Sequence, residues 1–357
     1  MKTYIKFLIN LFNNSILKIF IIFFIIILIT NILEQVEFFK DIDLNFLYLV
    51  SLSLLNTPSV LFEILPFIFL LSTQIFFIHL IDKNELEVFK YMGLNNMKII
   101  KILALYSFVF GIVLVIFFYN GASILKNSYL LIKNSYSDDN KYLAVITDNG
   151  LWIKDEINEN INIINASKVN DEFLLNVSIT RFNGDFDIVE ILLSEKINIT
   201  SKKWIISNPT ILRGNSQSTL NEMVLESNFD LQKINSLFSN LSSLSIIDLI
   251  SLRKSYKSLN YSIIDINSHL LKIATYPIYL TLITIFSAII MFNIGYQKNT
   301  FFKVTLGIFL SVIIYYINNF LSVLGTNEKI PLTLSIFLPL IILSIINFIS
   351  IIRLNEK

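Results

Sequence analysis

Long runs without Asp, Glu, Lys or Arg occupy both ends of the chain. Five of them have a charged residue at each end: 64–81, 102–125, 273–297, 304–327 and 330–352. A sixth run, 11–33, is interrupted by Lys18, whose long side chain can reach the membrane interface. About 20 helical residues cross the hydrocarbon core, where charges are costly. The pattern therefore predicts six transmembrane helices.

Residues 44–62 are also uncharged and contain Pro58, with Glu63 and Pro66 directly after them. Glu63 leaves almost no loop between two crossings, so residues 44–57 are interpreted as an outer interfacial helix or as the slanted start of the second span. A separate seventh crossing would invert the orientation of everything that follows.

The distribution of Lys and Arg in the short loops predicts the orientation. Lys83, Lys90 and Lys98 lie on the side of the two termini, whereas the opposite short loops contain only Lys40 and Lys329. Because basic residues accumulate in cytoplasmic loops, both termini and the 82–98 loop are predicted to be cytoplasmic. The polar segment between spans three and four is predicted to lie outside the cytoplasm.

That polar segment, residues 126–270, has the pattern of an inserted β domain. Leu175, Val177 and Ile179 alternate with polar residues, as in a half-buried strand, and turn sequences such as Asn183-Gly184 separate the candidate strands. The sequence predicts an all-β, jelly-roll-like domain over about 142–226, and a connecting helix over about 245–259 that begins with a Ser245-to-Asp248 capping box. Residues 1–125 and 271–357 each supply three of the six helices.

Composition supports a membrane protein and removes several function classes. The chain is 54% hydrophobic, only 15% charged and carries a net charge of +1, which disfavours a water-soluble enzyme and nucleic-acid binding. It contains no cysteine, so it has no disulfide or thiolate metal site. No nucleotide-binding P-loop and no catalytic constellation is present, so we expect neither catalysis nor a bound cofactor or metal.

The 82–98 loop contains a candidate docking helix. A helix from 84 to 92 would place Glu85, Val88, Phe89 and Met92 on one face, and Gly93 is a natural stop. Such a helix suits a groove on a partner protein. The same spacing also fits an ordinary interfacial turn that joins two spans.

The order of these features resembles the lipopolysaccharide-export permeases LptF and LptG, also called the YjgP/YjgQ family, along essentially the whole chain. The segments that carry the resemblance are 84–93, 150–154, 272–277 and 325–339. Within the second of these, Gly150-Leu151-Trp152 is more similar to LptG than to LptF.

The resemblance implies a non-catalytic permease subunit of an inner-membrane ABC exporter. Such a subunit pairs with its paralogue (here LptF), binds a dimer of the ATPase LptB, and passes lipopolysaccharide through periplasmic domains to LptC and LptA. Glu85 would be the acidic residue of the coupling helix. Tyr91 occupies a position at which the family usually has a small residue. The implied ATPase contacts are Glu85, Leu86, Val88, Phe89, Met92 and Gly93.

Two sets of candidate lipid contacts follow from the same resemblance. Glu34, Glu37 and Lys40 match the charged outer end of span one that helps to hold the lipid. The alternative is that they are simply the charged end of a transmembrane helix. The second set would line an acyl-chain slot or form a closed core: Leu175, Val177, Ile179, Ile197, Ile199 and Trp204. The alternative functions are the paralogous LptF role and a non-transporting membrane scaffold or mechanotransmission protein.

Overall fold

The computed structural model describes residues 3–40, 42, 44–136, 151–157, 160–170, 172–184, 186–214, 216–231, 234, 240–258, 262–294 and 300–355. The chain divides into two compact units. The first combines Met1–Lys126 with Ile264–Lys357, and the second is Asn127–Ile263.

Six helices in the described residues are long and apolar enough to cross a membrane, as the hydrophobic runs predict. The bounds of the helices before the polar segment are α1 Thr3–Phe38, α2 Phe46–Asp82, α3 Glu85–Tyr91, α4 Asn96–Val113 and α5 Asn120–Ser135, with α4 and α5 joined by a π-helical segment, Leu114–Tyr119. After it come α6 Ile246–Ser258, α7 Ile264–Ile294, α8 Thr300–Thr326 and α9 Leu332–Asn355. Several of these helices extend past the uncharged runs, because backbone hydrogen bonding continues beyond the hydrocarbon core.

The second span is one continuous helix of 37 residues that includes both prolines. Residues 46–57 are therefore its beginning, and no separate seventh crossing forms among the described residues. Pro66 has no N–H to donate to the carbonyl of Phe62 four residues earlier. The Tyr276 hydroxyl of α7 donates to that oxygen instead, at 2.6 Å. A partner from another helix thus compensates for the proline.

Helix α1 packs antiparallel along α2. The Phe12 ring meets Phe69 and Phe76 edge-on, with centroid distances of 6.2 and 5.7 Å. Nearer the other end of α1, Asn31 Nδ2 donates to Thr57 Oγ1 at 3.1 Å. Aromatic contacts in one half and a polar contact in the other thus fix the register between the two helices.

Helices α4 and α7 approach closely at a glycine. A Cβ added at Gly111 would lie 2.8 Å from the Pro277 Cα atom, so only glycine fits at this crossing. One turn away, Thr284 Oγ1 donates to Ser107 Oγ at 3.0 Å. Small residues and hydroxyl groups at the contact are typical of membrane helix packing.

The second unit is built on an antiparallel sheet, as the alternating pattern predicts. Its strands are β1 Leu151–Ile157, β2 Asn160–Asn170, β3 Phe173–Phe182, β4 Ile188–Asn198, β5 Lys203–Ser207, β6 Thr210–Arg213, β7 Ser216–Thr219 and β8 Glu222–Glu226. Described strands pair in the order β1-β2-β3-β4-β5-β8, while β6 pairs with β4 and β7. Consecutive pairing of β1 to β5 makes this part a meander.

One face of the sheet forms a buried core that the segment after β8 completes. Trp204 and Phe229 are fully buried in it, and the Trp204 indole N–H donates to the Phe229 carbonyl at 2.8 Å. The buried Asp155 carboxylate on β1 holds the same segment: it accepts from Ser227 Oγ at 2.8 Å and from the Asn228 backbone N at 3.1 Å.

Helix α6 begins with the predicted cap. The Asp248 backbone N donates to Ser245 Oγ at 3.2 Å, and the Ser245 hydroxyl donates to the Asp248 carboxylate at 2.6 Å. The first turn of α6 therefore has its capping bonds. The predicted start of the β domain, residues 142–150, lies outside the described residues.

Candidate functional site

The short helix α3 is held between α2 and α4 by two tight turns. Asn84, at φ 55°, precedes it, and Gly93, at φ 81°, follows it. Both residue types tolerate the left-handed region. Lys98 Nζ of α4 donates to the Gly93 carbonyl at 3.1 Å, and the Leu94 backbone N donates to the Phe89 carbonyl at 2.9 Å. The predicted helix and its stop are confirmed, and both ends of α3 are fixed.

The inner face of α3 consists of Leu86 and Phe89, which are only 2% and 8% exposed. Phe89 packs against Phe7 of α1, with a centroid distance of 5.9 Å. The chain's own helices therefore cover Leu86 and Phe89, and their contact with a partner stays a prediction. The spacing identified an apolar face, but periodicity does not reveal that the chain's own helices cover it.

The outer face of α3 carries a different apolar set. Val88, Tyr91 and Met92 are 54%, 89% and 71% exposed, and Glu87 is exposed beside them. At 100° per residue, Tyr91 lies opposite Leu86 and Phe89, and Glu87 and Val88 lie on either side of it. We call Glu87, Val88, Tyr91 and Met92 the outer face of α3. Sequence reasoning missed Glu87 and Tyr91, because identifying them requires knowing which side is covered.

Glu85 lies at the flank of this surface. It is half-buried, and its Oε2 atom has no hydrogen-bond partner among the described residues. An open cavity of about 370 Å³ lies at the other end of α3, lined by Lys90, Gly93, Leu94, Asn95 and Asn96. The surface thus combines exposed apolar side chains, two carboxylates and an adjacent depression. This combination suits docking of a protein better than chemistry on a small molecule.

The charged residues at the end of α1 are exposed. Glu34, Glu37 and Lys40 lie at the surface, whereas Asn31 and Gln35 of the same helix are buried. The two carboxylates are three residues apart and so share one face. Their role in holding lipid stays a prediction.

The candidate acyl-chain residues lie mainly in the closed core of the sheet. Buried there are Val177, Ile179, Ile197, Ile199 and Trp204. Leu175 does not share this face: Asn176 adopts φ 48°, and on the far side of it Leu174, not Leu175, is the fully buried residue. In the described conformation this set is a filled core. The simple alternation predicted through Leu175 is wrong at that residue.

A polar pair that sequence reasoning missed lies between α7 and the π-helical segment. Tyr119 Oη is 2.9 Å from His269 Nε2, and Tyr119 is almost completely buried. Phe62 lies beside it, with its ring 5.1 Å from that of Tyr119. Nothing in the sequence indicated this pairing. A π-helical segment changes which side chains face inward, and hydrophobic periodicity does not reveal it.

The family model described as lipopolysaccharide export system permease LptF/LptG matches residues 6–353, which include all six long helices and the β insert. No match was found among curated proteins.

Proposed function

The chain belongs to the LptF/LptG family of lipopolysaccharide export permeases, and from this membership we propose that it is the non-hydrolytic transmembrane half of an inner-membrane exporter. In this proposal it pairs with a paralogous six-helix chain and is driven by a separate LptB dimer. It delivers lipopolysaccharide to a bridge that begins with LptC and LptA. Within the pair we assign it the LptG role, on the Leu151-Trp152 sequence that opens β1.

The observation that carries the proposal is the outer face of α3. An exposed ion pair alone contributes little to binding, so Val88, Tyr91 and Met92 supply most of the affinity for the ATPase. Glu87 lies among them, and Glu85 contributes from the flank. Because Leu86 and Phe89 are anchored inside, α3 is already positioned before the ATPase binds, which lowers the entropic cost of docking.

The proposed orientation places α3 in the cytoplasm and the β unit in the periplasm. Lys83, Lys90 and Lys98 surround α3, and basic residues accumulate on the cytoplasmic side of membrane proteins. Reporter fusions at Glu85 and Asn183 test this arrangement. Fusions that report the same compartment at both positions would overturn it.

In this orientation the exposed end of α1 meets the outer leaflet, where the lipid is collected. Glu34 and Glu37 outnumber Lys40 there, so a phosphorylated lipid headgroup approaches this surface through a bridging divalent cation. The apolar core of the β unit accepts acyl chains only when the segment after β8 moves. Headgroup binding at α1 and acyl-chain binding in the β unit thus use the two sets of lipid contacts that the sequence predicts.

Co-purification tests the proposed ATPase contact. Glu87→Lys and Glu85→Lys should each remove the separately encoded ATPase from the purified complex, and Glu222→Lys on the exposed surface of β8 serves as the matched control. An ATPase that stays bound in both α3 variants, at the level of the control, would contradict the proposal.

A further inference from the structure

The inner face of α3 touches a helix to which it is not directly joined in the chain. Phe89 is joined through a short turn to α2, but its ring packs against Phe7, in the first turns of α1. The two rings are tilted by 55° with centroids 5.9 Å apart, a favourable geometry for an aromatic pair. Phe89 is largely buried, so its ring is not free to shift independently of its neighbours, whereas the Phe7 side chain is 41% exposed.

Helix α1 is also held along its length by α2. Leu8 and Phe12 are completely buried, Phe23 packs on Phe67 at 5.2 Å, and Asn31 bonds to Thr57. A helix of 36 residues is about 54 Å long. A displacement of its first turns is therefore carried to its far end, where Glu34 and Glu37 are exposed. Close-packed helices of this kind move as units instead of deforming continuously.

We propose that Phe7 and Phe89 are positioning residues that transmit the movement of α3 to α1. The inference rests on the proposed function, because it assigns to this contact the step between ATPase docking and the movement of the lipid-collecting end of α1. The outer face of α3 binds the ATPase, while the inner face passes the displacement to Phe7. Binding and transmission thus use opposite sides of one short helix.

The test separates ATP hydrolysis from lipid transfer in the reconstituted complete complex. Phe7→Ala leaves the outer face of α3 intact, so the ATPase should stay bound and hydrolyse ATP. Lipid transferred per ATP should fall by about fivefold or more, the range expected for a residue on a coupling route. Phe20→Ala is the matched control, because it removes an aromatic contact of α1 with the π-helical segment but none with α2 or α3 that the route uses. An equal fall in both variants would indicate general packing and overturn the proposal.

A reversible crosslink supplies the second readout. The chain has no native cysteine, so Phe7→Cys with Phe89→Cys can be joined selectively by a short bis-methanethiosulfonate and released by reductant. Joining the two positions should restore lipid transfer per ATP, and a monofunctional thiosulfonate should not. Failure to recover would overturn the role of the contact. If the wild-type complex neither binds an ATPase nor transfers lipid, the proposed function is wrong. If the wild-type complex is active and the Phe7 variants transfer as much lipid per ATP as wild type, the proposed function stands and the role of the contact is wrong.

Discussion

The hydroxyl group of Tyr276 donates a hydrogen bond of 2.6 Å to the carbonyl oxygen of Phe62, and the two rings stack with centroids 4.4 Å apart. Pro66 explains the bond, because the normal donor to this carbonyl would be the N–H that proline lacks. In a membrane interior no water replaces such a donor. The proline of one helix and the tyrosine of another therefore act as one structural element.

Tyr276→Phe should lower the free energy of unfolding in detergent by about 1–3 kcal/mol, because it leaves a buried carbonyl without a partner. Pro66→Ala restores the backbone donor, so Tyr276→Phe should be less damaging in that background. Thermal unfolding of the two single variants and the double variant measures this interaction. Strict additivity of the two changes would contradict the compensation.

Gly111→Ala should destabilise the crossing of α4 and α7 by about 1–3 kcal/mol, the usual effect of overpacking. The added Cβ would lie 2.8 Å from a backbone atom, Pro277 Cα, which has little freedom to move. Gly121→Ala is the matched control, since a Cβ there meets no atom within 4 Å and alanine favours the helix. Equal melting temperatures for the two variants would refute the close contact.

The sequence predicted where the spans and the strands lie, but it did not predict which of their faces are buried and which are exposed. Charge-free runs located all six helices because the cost of charge in lipid depends on composition alone. The sequence did not reveal which side of α3 is exposed, since Leu86, Val88 and Phe89 are equally apolar and only tertiary packing decides which of them is covered. The left-handed backbone at Asn176 and the π-helical segment before Asn120 are local backbone events that likewise leave no periodic signal.

Asp155→Asn should loosen the segment that covers the sheet core. The carboxylate accepts bonds from Ser227 Oγ, the Asn228 backbone N and Asn228 Nδ2, and an amide nitrogen in one oxygen position would face a donor. Amide hydrogen exchange around Phe229 should accelerate by about tenfold, equivalent to about 1.4 kcal/mol of lost protection. Asp187→Asn on the exposed turn before β4 is the control. Unchanged exchange would show that the segment is held without Asp155.

Tyr91→Ala should weaken ATPase binding by about tenfold or more, because an exposed aromatic in the middle of a docking surface is a typical hot spot. Binding of the purified ATPase to the chain in nanodiscs measures the dissociation constant. Trp152→Ala, which removes an exposed aromatic from β1 in the other unit, should leave the affinity unchanged. Equal affinities for wild type and Tyr91→Ala would show that Tyr91 does not contribute to ATPase binding.

The acidic end of α1 predicts a dependence of lipid capture on divalent cations. With Glu34 and Glu37 exposed there, chelation should reduce photocrosslinking of a phosphorylated lipid to this end of the helix. Glu34→Lys with Glu37→Lys should make labelling independent of the cation and strengthen it about fivefold per lysine, from roughly 1 kcal/mol for each basic residue near an anionic surface. Glu222→Lys controls for the overall change in charge. Wild-type labelling that is insensitive to chelation would show that no bridging ion holds the headgroup. Lys40 would then be the residue that contacts the phosphate at this end of α1.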